Sequence, residues 1–165
     1  MKRLALVFLI VCIGVSGCGL RTPAKPLTSC FSADLTVTDE ETAYSGRLTV
    51  GEKAYEWVLT APPTLSGCRL CCDGEQLRLT PPEGEPLVAA MGILPADGFP
   101  VTLWCALFDS DRTPPAWDGD AAVSEGDTPD GRYRLQTDGQ TGHPLRLKLL
   151  SASWSATFEN CTILA

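Results

Sequence analysis

From Phe31 onward apolar residues stand at every second position through one stretch after another, which is the period of a strand with one buried face. Phe31, Ala33, Leu35 and Val37 alternate with Ser32, Asp34, Thr36 and Thr38 and predict a first strand. A polar turn leads to a second at Tyr44 to Val50, where Gly46, Leu48 and Val50 oppose Ser45, Arg47 and Thr49. Gly51-Glu52-Lys53 predicts a tight link to a third strand, Ala54 to Thr60, with Tyr55, Trp57 and Leu59 on one side. Ala61-Pro62-Pro63 ends it, because neither proline can donate to a ladder. Cys68 to Cys72 and Glu75 to Thr80 predict a further pair about Asp73-Gly74, making five strands in this half. Alternation returns in Arg132 to Thr137, Leu145 to Leu149 and Trp154 to Phe158, a closing antiparallel meander with turn residues at Asp138-Gly139 and Gly142-His143-Pro144.

Between these blocks the period changes. Leu87 to Leu94 and Val101 to Phe108 lose the alternation, and Pro95 and Pro100 bracket the link between them, which predicts two short helices packed over the sheet. Asp109 to Asp130 is rich in Asp, Gly and Pro and reads as a mobile acidic loop. Its spacing does not match an EF-hand calcium loop. About eight one-faced strands and two short helices imply a mainly β (α+β) fold: a strongly curved antiparallel sheet, an incomplete β-barrel, with the helices inserted as a plug.

The N-terminus has a different character. Lys2 and Arg3 precede the apolar run Leu4 to Ile13, which closes on Val15-Ser16-Gly17-Cys18. That is the layout of an export signal, since 15 helical residues rise about 22 Å against the ~30 Å of a bilayer's hydrocarbon core. The closing tetrad resembles the bacterial lipobox, in which the cysteine is diacylated and becomes the first mature residue. An ordinary cleaved signal with Cys18 a plain thiol, or an uncleaved anchor, are the alternatives. Lipidation fits better because Cys18 directly follows Ser-Gly and precedes the polar, proline-containing spacer 19–26. The expected organisation is a signal peptide over 1–17, a lipidated tether over 18–29 and a single domain over 30–165. The protein is then exported and held on the extracytoplasmic side of the cell membrane, because two or three acyl chains anchor more firmly than one.

Composition narrows the partners. The formal net charge of -7 becomes more negative once Lys2 and Arg3 are cleaved away, and so acidic a chain argues against nucleic acid and anionic lipid headgroups as electrostatic partners. Besides Cys12 and Cys18 there are Cys30, Cys68, Cys71, Cys72, Cys105 and Cys161, an even number compatible with disulfides or with buried thiols in a structural role. Cys68-x-x-Cys71-Cys72 could suggest a metal or redox site, but no second ligand pair at matching spacing follows, so no metal and no cofactor is expected. Nor do the motifs of catalysis occur: the mature part has no Gly-x-Ser-x-Gly elbow, no His-Glu-x-x-His and no phosphate-cradling glycine loop. His143, the one histidine, sits in a turn between Gly142 and Pro144. A non-enzymatic protein is expected. Asn160-Cys161-Thr162 fits a glycosylation sequon, coincidental in a bacterial lipoprotein.

Several of these features together resemble the half-barrel lipoprotein carriers. They are the lipobox signal, Phe31-x-Ala33-x-Leu35, Gly46-Arg47-Leu48, Tyr55-x-Trp57 ending in Pro62, Cys72-Asp73-Gly74, Thr141-Gly142-x-Pro144 and Thr157-Phe158-x-Asn160. That group includes the outer-membrane lipoprotein-sorting carrier and its receptor (LolA and LolB), the periplasmic regulator RseB and a clostridial germination lipoprotein. The resemblance spans roughly Cys30 to Ile163 and implies a capped half-barrel that holds an acyl chain or a lipoprotein, or presents a surface to a partner protein. The chain is shorter than the sorting carriers and has less helix for a lid. The arginine that latches the carrier's lid has no assignable counterpart, so no functional residue is carried over. The sequence itself offers Leu35, Leu48, Tyr55, Trp57, Leu77, Leu79, Tyr133, Leu147, Trp154 and Phe158 as walls of an apolar cavity. An ordinary packed core would use the same residues. A tethered scaffold acting only through protein contacts is the other reading.

Overall fold

The computed structural model describes residues 21–40, 42–95 and 97–164; the segment expected to be an export signal and Cys18, the expected lipidation site, lie outside them. Eleven strands follow in order: β1 (Phe31–Asp39), β2 (Thr42–Val50), β3 (Tyr55–Ala61), β4 (Arg69–Cys72), β5 (Gln76–Thr80), β6 (Leu87–Ala90), β7 (Ala116–Asp118), β8 (Ala121–Thr128), β9 (Gly131–Asp138), β10 (Pro144–Leu149) and β11 (Ser155–Ile163). One α-helix among the described residues, α1 (Phe99–Phe108), lies between β6 and β7. The strands form a single sheet in the order β6-β5-β4-β3-β2-β1-β11-β10-β9-β8-β7. Each neighbouring pair is antiparallel, and β6 and β7 are open edges. The chain thus lays down one half of the sheet, crosses it with a helix, builds the other half inward and closes the centre with β11 against β1.

The alternation read from the sequence sets the inner face. Ala33, Leu35 and Val37 of β1, Leu48 and Val50 of β2, Tyr55, Trp57 and Leu59 of β3, Tyr133 and Leu135 of β9, Leu147 and Leu149 of β10, and Ala156 and Phe158 of β11 are buried in one core cluster. The helix enters the same cluster through Leu103, Ala106 and Leu107. It starts after Gly98 with Pro100 in its first turn, where a missing N–H costs nothing, and stops at Asp109.

Two hydroxyls show how the sheet meets the helix. Tyr55 of β3 donates to the Pro100 carbonyl at 3.1 Å, and Tyr133 of β9 donates to the Cys105 carbonyl at 3.3 Å. Five inter-strand steps separate β3 from β9, roughly 24 Å across a flat sheet, whereas the two acceptors sit only about 7.5 Å apart along a helix. Both bonds can exist only if the sheet curls around α1. Register irregularities at Ser32/Asp34, Ser45/Gly46 and Pro144/Arg146 put extra bend into the strands where this happens.

Three expectations are corrected. Among the described residues there are eleven strands, not eight, and one α-helix rather than two. Leu87 to Leu94 is edge strand β6 followed by a short 3-10 turn at Met91–Ile93. It pairs only with β5, and both Leu87 and Val88 are exposed, so neither face supplies an alternating signal. The segment 109–130 is no mobile loop, for it contains β7 and β8. The inward row of β8 is Ala122, Ser124, Gly126 and Thr128, small residues on a strand packed against Tyr133 and α1. A Cβ on Gly126 would lie 2.3 Å from the Tyr133 hydroxyl. The period of two survives in β8 as side-chain size and not as hydrophobicity.

On the outer face, Asp34 gathers β1, β2 and β11. Asn160 donates to its Oδ2 at 2.7 Å and Arg47 to its Oδ1 at 2.8 Å, while Arg47 also reaches the Ser32 hydroxyl at 2.6 Å. The Asn160 amide, then the Arg47 guanidinium, hold the Asp34 carboxyl below its ordinary value. Asp73 and Asp138 are lowered too, by the backbone N–H groups of Gln76 and Glu75 and of Thr141 and Gln140. A carboxylate lowered in the folded state adds stability above the unfolded value near pH ~4, and that stability is lost as pH falls through the folded value. We expect the midpoint of thermal unfolding to fall on acidification below pH ~4, with Asp34→Asn giving a lower midpoint at pH 7 and a shallower acid decline; parallel curves would contradict this assignment. Gly46 faces the β2–β3 crossing, where a Cβ would lie 2.1 Å from the Val58 carbonyl oxygen. Gly46→Ala should therefore destabilise by about 1–3 kcal/mol, as forced overpacking does, read from urea unfolding.

Candidate functional site

Of the ten residues proposed as cavity walls, Leu35, Leu48, Tyr55, Trp57, Tyr133, Leu147, Trp154 and Phe158 are buried in the core cluster, and Leu77 and Leu79 are partly buried against it. Leu35, Leu48, Tyr133 and Leu147 are 0% exposed. All four belong to the cluster that α1 also enters. Burial pushes the Tyr55 hydroxyl well above the ordinary tyrosine range, and burial followed by Asp109 raises Tyr133 to about 12. Both therefore remain protonated donors to the helix carbonyls at neutral pH.

What the helix leaves open is a cleft of about 280 Å³ lined by Val37, Asp39, Tyr44, Trp57, Gly98, Phe99 and Trp154. Phe99, the first residue of α1, stands edge-on between two indoles, with ring centroids 5.5 Å from Trp57 and 5.3 Å from Trp154. Such edge-to-face pairs add about 0.5–1.5 kcal/mol each beyond area burial. The Trp154 indole N–H donates to the Asp97 carbonyl at 2.9 Å, tying the helix approach to the start of β11. The Trp57 indole N–H is buried and has no partner. The residues picked from the sequence include Trp57 and Trp154 but miss Val37, Tyr44 and Phe99. The available signal for Phe99 was an aromatic between Gly98 and Pro100, on the apolar side of a predicted helix start.

The cleft and the N-terminal segment occupy opposite ends of the strands. Val37, Asp39 and Tyr44 lie where β1 turns into β2, and Thr38 pairs with Ser155 just after Trp154. At the other end, Phe31 pairs with Val50 and Ile163, and the β9–β10 turn lies nearby. There residues 21–28 are strapped down. Lys25 N–H bonds the Gly139 carbonyl at 2.9 Å, Thr28 N–H the Gly142 carbonyl at 3.0 Å, and the Trp117 indole the Thr22 carbonyl at 2.8 Å. Arg21 donates to the Gly119 carbonyl at 2.6 Å with its guanidinium 5.4 Å from the Trp117 ring centroid. A hollow of about 770 Å³ beneath this strap, bounded by Trp117, Asp120 and Gln140, is open and partly walled by the strap itself. Nine residues of β1, roughly 27 Å of strand, separate the two ends.

The six cysteines are free thiols: Cys68 and Cys72 are buried and Cys30, Cys71, Cys105 and Cys161 half-buried. Burial raises the thiols of Cys71, Cys72, Cys105 and Cys161, with Glu56 adding to Cys71 and Asp109 to Cys105. Nucleophilic and metal-binding cysteines need the opposite shift. Cys71 Sγ lies 3.5 Å from Glu56 Oε2, and Cys72 Sγ lies 3.5 Å from Met91 Sδ. Among the described residues no group of three or more His, Cys, Asp or Glu is placed to hold a metal ion, and no helix is long and apolar enough to cross a membrane. His143 lies in the β9–β10 turn, its backbone N–H 3.3 Å from the Thr141 hydroxyl, and its ring meets none of the thiols in a hydrogen bond.

No protein-family model matches the chain, and no curated protein matches it. Solved structures do. An uncharacterized conserved protein from Thermus thermophilus superposes with a TM-score of 0.55 at 10% identity, over 84% of this chain and 80% of that one. A LolA superfamily protein from Nitrosomonas europaea matches at a TM-score of 0.44 and 10% identity, over 86% and 89% of the two chains. A structure of the CwlD amidase from Clostridioides difficile in complex with the GerS lipoprotein matches at 0.44 and 12%, over 97% and 92%. At such identities the likeness is one of fold, and the Thermus superposition is what establishes it.

Proposed function

We propose that this chain is a non-catalytic lipoprotein of the bacterial cell envelope, exported and anchored through acyl chains on Cys18, whose half-barrel docks a partner protein through the aromatic cleft. The observation that carries this reading is the packing of α1 against the concave face, beside which lies a cleft of about 280 Å³ about Phe99, Trp57 and Trp154. That volume falls below the ~300–1,000 Å³ of typical small-ligand sites and suits one or two apolar side chains of a docking protein. Aromatic anchors of this kind dominate the energetics of protein interfaces.

Placement supports the same reading. The strap leads back toward Cys18 at one end of the strands, and the cleft opens at the other, so a membrane-anchored domain would hold its cleft away from the bilayer. The partner in this reading is an extracytoplasmic protein that offers a Leu- or Phe-sized side chain. An acyl carrier is the second reading, favoured by the breadth of apolar inner face that a movement of α1 would uncover.

Cys18→Ala should shift the protein from the membrane pellet to the soluble fraction after ultracentrifugation, and equal retention in the pellet would remove the acyl anchor. Native mass spectrometry should give the polypeptide and its anchor alone, with no saturable uptake of a fluorescent fatty acid, whereas stoichiometric uptake would favour the carrier. A photocrosslinking residue at position 44 should capture a discrete envelope protein, and Phe99→Ala should cut that yield at least tenfold; the same yield from both proteins would dismiss the cleft.

A further inference from the structure

The outer face of β9 and β10 has a character opposite to that of the rest of this acidic chain, whose formal net charge is -7. Arg134 and Gln136 of β9 and Arg146 and Lys148 of β10 all point away from the core, alternating with the buried Tyr133, Leu135, Leu147 and Leu149. In the β9–β10 register Lys148 is paired directly with Arg134, and Arg146 with Gln136. Like charges directly opposite on one face of an antiparallel pair destabilise it.

Only part of that charge is answered within the protein. Arg134 forms an ion pair with Asp118 of β7 and stands opposite Glu125 of β8, which bridges to Arg132, while Arg146 and Lys148 have no carboxylate partner among the described residues. The Arg134 Nε–H is buried without a hydrogen-bond acceptor. On the other flank, β11 pairs Thr157 with Arg146 and Ser155 with Lys148, which sets a hydroxyl directly opposite each. These side chains surround a hollow of about 280 Å³ lined by Arg134, Gln136, Arg146, Lys148 and Leu150.

We propose that Arg134, Gln136, Arg146 and Lys148 form a phosphate-binding subsite on the outer face of the sheet. With Asp118 answering one of the three cations, the remaining positive charge suits a phosphate group, which carries about -1.5 to -2 at neutral pH as a monoester and a single negative charge as a diester. The planar fork of Arg146 suits two phosphate oxygens, the Lys148 ammonium acts as a compact charge, and the Gln136 amide donates without charge. Occupation would also relieve the repulsion between Lys148 and Arg134. The phosphate could be soluble or polymer-borne, or belong to a lipid headgroup; what the site recognises in each is a pair of anionic phosphate oxygens.

The test uses the full chain in detergent, titrated with sodium phosphate against sodium chloride at matched ionic strength and followed by thermal unfolding and by amide NMR shifts. Saturable stabilisation by phosphate, with shifts confined to β9, β10 and the edge of β11, is the expected result. The double variant Arg146→Gln with Lys148→Gln should weaken the apparent affinity at least tenfold. In chloride alone its unfolding midpoint should equal or exceed that of the unmodified chain, because the substitution removes a like-charge pair from an exposed surface. Flotation of the Cys18→Ala chain with phosphatidylglycerol vesicles, compared with phosphatidylcholine vesicles, separates the sources. Selective flotation that the double variant abolishes assigns the headgroup, and phosphate saturation without flotation assigns a soluble or polymer-borne phosphate. Absence of a saturable response to either probe, or an equal response in the double variant, overturns the site.

Discussion

A sheet of eleven strands that is apolar on one side must bury that side, and this chain supplies a single ten-residue α-helix among its described residues to help. A flat sheet would leave most of the apolar rows in water. Bending brings β3 and β9 to the same helix, where Tyr55 and Tyr133 bond carbonyls five residues apart. The helix is thus the object around which the sheet closes. Its aromatic residues reach both flanks: Phe99 lies between Trp57 and Trp154, and the Trp104 ring covers Gly74 in the β4–β5 turn so closely that a Cβ there would clash at 2.3 Å.

That closure decides where chemistry is available. Groups drawn inside are used as neutral hydrogen-bond donors or as filler, as the raised tyrosine and thiol values show. Charged side chains are left to the outer face, where Arg47, Asp34 and Asn160 lock the central strands together and Arg134, Arg146 and Lys148 stand with less neutralisation. Apolar surface is left open at the rim, where the start of α1 fails to cover the ends of β1 and β2. The strap over residues 21–28 fixes the opposite rim, so the two ends of the half-barrel are chemically distinct.

Much of this was legible in the chain. The rows Phe31 to Val37, Gly46 to Val50 and Tyr55 to Leu59, the closing meander and the helix ending at Phe108 stand where the alternation and the proline signals put them. The segments that were misread share a cause. β6 is an edge whose Leu87 and Val88 are both exposed, and β8 turns small side chains inward to let Tyr133 and α1 approach, so neither writes its strand period in hydrophobicity. The cleft was half legible: Trp57 and Trp154 belong to the apolar rows, whereas Val37, Tyr44 and Phe99 join them only after β1, β2 and α1 are brought together.

The sequence by itself determined which faces are apolar, where most strands turn and that no familiar catalytic motif is present, because those properties are written within a few residues of one another. Tertiary structure decided how tightly the sheet curls, that the inner face is packed against a helix, which rim remains open, and that Lys148 faces Arg134 across the β9–β10 ladder. These depend on strand register and on one helix bonding to two distant strands, and contacts between residues far apart in the chain leave no local period to read.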